Sequence, residues 1–116
     1  MSNFLELVAK ERSRQINDEG YKREHDDEHT DGSIADAAAC YAANGTIYKA
    51  TLPKNMQKSF KYVWPWNWSF FKKEKHTRKK QLIISAALLM AEYERIERAE
   101  QKTKKDFMGS IDEMYD

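Results

Sequence analysis

Residues 33–44 read SIADAAACYAAN, and this stretch decides the fold. Six of its twelve residues are alanine, the strongest helix former, and nothing breaks the run before Asn44-Gly45. Its side chains are small on nearly every side, so neighbouring backbones can approach it from several directions. A helix of this kind belongs at the centre of a bundle, with Thr30 or Asp31 as its cap.

Two further helices are predicted around it. Residues 4–19, FLELVAKERSRQINDE, follow Asn3 as a cap. At about 100° per residue, Phe4, Leu5, Val8 and Ile16 define one face, with Glu11, Arg12 and Gln15 on or beside it. Buried charges persist only when paired or ligated, so a stripe that turns polar halfway along is a functional signal. The third helix spans about residues 77–101. Leu82, Ile83, Ala86, Leu89, Met90, Tyr93 and Ile96 form its expected core face, with Arg78, Lys79 and Glu97 at the ends and Glu92 beside it.

Residues 45–76 read as mostly irregular. GTIYKATLP is a short extended piece or a loop. YVWPWNWSFF is too broken by Pro65 and Asn67 for a helix and too aromatic to stand free in water, so it is expected to pack across the helices. Residues 102–116 read as a short helix or a loose tail. The expectation is a single all-α domain over 1–116, a compact three- to four-helix bundle with a Trp-rich irregular loop across it.

Composition narrows the function classes. The 116 residues carry 20 basic and 19 acidic side chains, a net charge of +1, which predicts no direct nucleic-acid partner. One cysteine allows no internal disulfide and fits a reducing compartment. MSNFLELVAKERS lacks a signal-peptide pattern, and the apolar run LIISAALLMA is half a membrane span. A cytosolic protein without membrane contact is expected. So small a core leaves little spare stability, which favours a homo-oligomer.

Charge is unevenly placed. Residues 24–32, EHDDEHTDG, are acidic and residues 72–80, KKEKHTRKK, are basic. His25 and His29 match no familiar zinc spacing, whereas dense carboxylates suit Mg²⁺ or Mn²⁺. The same residues have structural readings: Asp31 as a helix cap, the histidines as loop hydrogen-bonders, Trp64 and Trp66 as core or lid. The basic segment is either a solvated helix start or a receiver of phosphate through Arg78 and Lys79. Arg12, inside an apolar stripe, requires an anionic partner from protein or ligand. Arg12, Gln15, His25, His29, Trp64, Trp66, Arg78 and Lys79 are therefore the candidate ligand-binding set. No Gly-rich phosphate loop, nucleophile elbow, paired CxxC or HExxH is present.

KERSRQ (10–15), EGY (19–21), EHDDEHTDG (24–32), AAACYA (37–42), WPW (64–66) and AEYERIER (91–98) together resemble a pattern found in small proteins of bacteriophages and prophages. A more distant resemblance is to the MazG-like all-α nucleoside-triphosphate pyrophosphatases, which hold Mg²⁺ through carboxylates on adjacent helices. Glu28-His29-Thr30-Asp31 matches their ExxD spacing. Their first carboxylate pair is not matched, since Glu6 and Glu11 lie on different faces. This resemblance implies Glu11, Glu28, Asp31 and Glu92 as metal ligands and Glu28 and Asp31 as catalytic. Two functions are thus expected for a phage protein of the host cytoplasm. One is binding of a nucleotide or other phosphorylated ligand, with or without Mg²⁺-dependent pyrophosphohydrolysis. The other is non-enzymatic inhibition of a host antiphage defence system, by protein binding or by sequestering its nucleotide signal.

Overall fold

The computed structural model describes residues 3–20, 23–44, 48–50, 60–62, 64–66 and 71–115, with side chains for 3–20, 23–44, 64–66 and 71–109. The elements run α1 (Phe4–Asn17), α2 (Arg23–Asp27), α3 (Ser33–Ala42), β1 (Tyr48–Ala50), β2 (Phe60–Tyr62), a 3₁₀ turn (Lys73–Lys75) and α4 (Arg78–Tyr115). The protein is an all-α four-helix bundle with an aromatic cluster across the helices. β1 and β2 form a minimal antiparallel pair, Tyr48 opposite Tyr62 and Ala50 opposite Phe60.

α3 occupies the centre, as its composition predicts. Ala37 and Ala38 are almost wholly buried, and so are Ala87 and Ala91 of α4. Small residues on both helices permit close backbone approach, and Ser85 Oγ donates across the contact to the Ala38 carbonyl at 2.7 Å. The N-cap of α3 is Gly32, not Thr30 or Asp31; Asp31 sits one residue before it, and its Oδ1 accepts the Ser33 N–H at 3.0 Å. Gly32 turns the chain there with φ +85°, a conformation that costs a side-chain-bearing residue energy. Thr77 caps α4, its Oγ1 accepting the Lys80 N–H at 3.2 Å.

The larger core joins Ile34, Ala37, Ala38, Cys40 and Tyr41 of α3 to Ile84, Leu88 and Ala91 of α4, with Trp64 buried among them and Trp66 and Phe71 against it. Trp64 lies 4.7 Å from Phe71, 5.3 Å from Trp66 and 6.0 Å from Tyr41, ring centre to ring centre, at tilted or edge-on angles that favour aromatic contact. Trp68, the third tryptophan of that run, lies outside the described residues. A smaller core of Val8, Ile83 and Ala87 joins α1 to α4.

The core face of α4 differs from the one expected. Ile83 is buried and Ala86 half-buried, but Leu82, Leu89, Met90, Tyr93 and Ile96 are exposed. The buried face is instead Ile83, Ile84, Ala87, Leu88 and Ala91. α4 is apolar on two opposite sides, and the more periodic side is not the one α3 can approach. An alanine-rich neighbour selects the side carrying Ala87 and Ala91, where the backbones fit closest. On α1, Phe4 and Leu5 are likewise exposed, while Val8 and the polar Glu11, Arg12 and Gln15 are inside. α4 continues without a break to Tyr115, 38 residues or about 57 Å of helix, well past the end of the bundle. No helix among the described residues is long and apolar enough to cross a membrane.

Candidate functional site

The polar half of α1 is ordered by ion pairs. Arg12 donates through Nη2 to Asp26 Oδ2 of α2 at 2.8 Å, with both side chains almost fully buried, and through Nε to Glu94 of α4 at 3.3 Å. Burial pushes the Asp26 carboxyl above its ordinary range, against the opposing pull of Arg12. The acidic segment thus supplies the anionic partner that Arg12 demanded. Next to it, Asp27 accepts from Arg98 at 2.8 Å on the surface.

Immediately before Arg12, the Glu11 side chain is completely enclosed. It accepts from Arg14 at 3.0 and 2.8 Å, from Lys80 at 3.0 Å and from Gln15 Nε2 at 3.3 Å. Burial alone would raise its pKa, but the Arg14 and Lys80 hydrogen bonds and charges outweigh that and hold it below the usual carboxylate range. Arg14 also bonds Glu19 at 2.8 Å. The i,i+3 spacing of Glu11 and Arg14 is a signal that sequence reading could have used.

The four carboxylates considered as metal ligands do not converge. Glu11 is held by Arg14 and Lys80, Asp31 accepts the Ser33 N–H, and Glu28 is exposed at the end of α2. Glu92 is buried on α4 and accepts from Arg95 at 2.6 Å. Among the described residues, no group of three or more His, Cys, Asp or Glu side chains is placed to hold a metal ion. His25 and His29 face each other, Nε2 to Nε2 at 3.4 Å, and His29 lies 5.4 Å from Trp66.

The basic segment is partly turned inward. Arg78 donates to the carbonyls of Tyr41, Ala42 and Ala43, and Lys73 donates to Ala43 at 2.7 Å, so two cations satisfy the C-terminal carbonyls of α3. Lys79 is exposed.

What the fold does assemble is a cavity of about 50 Å³ between α1, α3, α4 and the aromatic cluster. Gln15, Tyr41, Trp64 and Trp66 line it with Arg14, Glu19, Lys72 and His76. Gln15 is buried, and its Oε1 has no hydrogen-bond partner among the described residues. Three members of the expected ligand set, Gln15, Trp64 and Trp66, therefore meet here. Arg12, His25, His29, Arg78 and Lys79 do not line it. Lys72 and His76 were not expected; both follow the aromatic run closely in sequence, which is the only local hint of their place. The chain matches no family model, no curated protein and no solved structure.

Proposed function

We propose that this protein binds a nucleotide or other phosphorylated small ligand at the Gln15 cavity, stoichiometrically, as a sequestering or regulatory protein of a phage-infected host cytoplasm. The observation that carries the reading is the Gln15 amide oxygen, buried beside a cavity without a donor among the described residues. Leaving such an acceptor unsatisfied costs about 1–3 kcal/mol, which a ligand N–H would recover. Trp64 and Trp66 supply aromatic surface, and Lys72 and His76 supply basic groups for phosphate. A space of about 50 Å³ admits one donor group and not a whole nucleotide, whose sites reach roughly 300–1,000 Å³. The rest of the ligand lies across the mouth in this reading.

Glu11, Asp31 and Glu92 are already engaged in ion pairs or, for Asp31, in a bond to the start of α3. They are given structural work here, and Mg²⁺ a place only with the ligand's phosphates. Calorimetric titration with a nucleotide panel, cyclic dinucleotides included, in Mg²⁺ and in chelator, tests this when the products are analysed. Binding with the ligand recovered intact, weakened about tenfold by Lys72→Ala, is the expected result. Magnesium-dependent cleavage lost on Glu28→Ala would restore the pyrophosphatase reading. Silence across the panel would end the ligand reading and favour the inhibitor of a host defence protein.

A further inference from the structure

The least explained feature of the molecule is the outer face of α4. Leu82, Leu89, Tyr93, Ile96 and Phe107 fall within an arc of about 60°, at intervals of seven, four, three and eleven residues. Ile84, Leu88 and Ala91, which face α3, and Ala87, which packs with Val8 of α1, lie on the opposite side of the same helix. A helix apolar on two opposite faces is normally covered on both. With Met90 and Met108, seven large apolar side chains on α4 stand 37–67% exposed. At about 150–250 Å² per large side chain they present roughly 600–700 Å². That exceeds the roughly 300–600 Å² of a typical monomer's largest patch. Leu82, Leu89, Met90, Tyr93 and Ile96 alone supply roughly 400 Å² of this face. That is about half of what each partner gives to a stable complex before flanking side chains are added.

We infer that this face is covered by α4 of a second copy, in an antiparallel, two-fold symmetric pair. The four-three spacing is that of a coiled-coil seam, and such a seam is complementary to itself. Direction follows from its one charge, Glu100. A parallel pair would stack Glu100 on Glu100. In an antiparallel pair centred between Leu89 and Tyr93, Leu89 meets the partner's Tyr93 and Ala86 meets the partner's Ile96, small against large. Glu100 then falls against the partner's Leu82, one turn from the partner's Lys79. The first residues of α4 beyond the bundle, 101–104, lie against the start of the partner's α4 and gain support that a lone helix in water lacks. This inference is independent of the ligand reading.

Sedimentation equilibrium of the full chain over a wide concentration range tests it. The expected result is a species of twice the 13.7 kDa chain mass. Leu89→Glu with Tyr93→Glu should give a monomer that keeps its helical circular dichroism and cooperative melt, because both side chains are exposed. Glu100→Lys alone and Lys79→Glu alone should each weaken dimerisation, and the two together should recover it. A chain that is monomeric at every concentration overturns the proposal and leaves the face to a different protein. A dimer indifferent to Leu89→Glu and Tyr93→Glu overturns it too. A dimer lost with those two substitutions but unaffected by either charge change, alone or together, overturns the antiparallel pairing.

Discussion

Arg12 and Asp26 meet at 2.8 Å with side chains only 6% and 5% exposed, and this pair ties α1 to α2. Asp26→Ala leaves Arg12 enclosed with Glu94 as its ion-pair partner, so its cost is expected at the low end of the range for a broken buried pair, about 3 kcal/mol. The raised pKa of Asp26 shows that desolvation consumes much of the attraction. Arg12→Met combined with Asp26→Leu should therefore be far milder than either change alone. A double-mutant cycle in urea measures the difference.

Glu11 governs acid sensitivity. Its pKa in the fold is below the ordinary 4.5, so the unfolded chain takes up the proton first as pH falls. The stability it contributes is complete above that ordinary value and is lost as pH drops through the folded one. Urea midpoints at pH 7 and pH 3.5 should differ less in Glu11→Gln than in the native chain.

Cys40 should be inert. It is buried in the α3–α4 core, and burial pushes its thiol up to about 11. Reaction with a thiol-specific disulfide reagent at pH 7.5 should follow global unfolding. It should become rapid only in denaturant.

Arg78 should act as a helix cap supplied from another helix. Its guanidinium reaches three successive carbonyls at the end of α3, a fork that a lysine cannot reproduce. Arg78→Ala and Arg78→Lys are both expected to lower stability by about 1–2 kcal/mol, read as a fall in melting temperature.

Much of this was legible beforehand where chemistry is local. The alanine content of 33–44 placed the central helix, whereas the left-handed Gly32, and not Asp31, is its N-cap, with Asp31 bonding the Ser33 N–H from one residue before. The polar stripe of Glu11, Arg12 and Gln15 was correctly turned inward, since 100° geometry is set by the backbone alone. The outward turn of Leu82, Leu89, Tyr93 and Ile96 was not legible. Periodicity identifies an apolar face without saying which neighbour covers it, and α4 has two such faces. Nor could spacing show that Lys80, sixty-nine residues from Glu11, closes the pair that removes this carboxylate from the surface. The cavity at Gln15 is likewise a product of tertiary packing, assembled from three helices and an irregular segment.

The inward turn of Lys73, Arg78 and Lys80 changes what the molecule displays to an approaching solute. Six lysines and arginines stand in residues 72–80, but these three are bonded to α3 carbonyls or to Glu11. Lys72, Lys75 and Lys79 are left to make direct contacts, while Lys73 and Arg78, bonded to neutral carbonyls, keep their charge and still shape the external field. Lys80 is neutralised by the Glu11 carboxylate, so long-range attraction of anions by this segment falls by just one of its six charges. Salt should therefore slow an anionic ligand's arrival, while leaving the internal pairs, shielded from ions, nearly untouched.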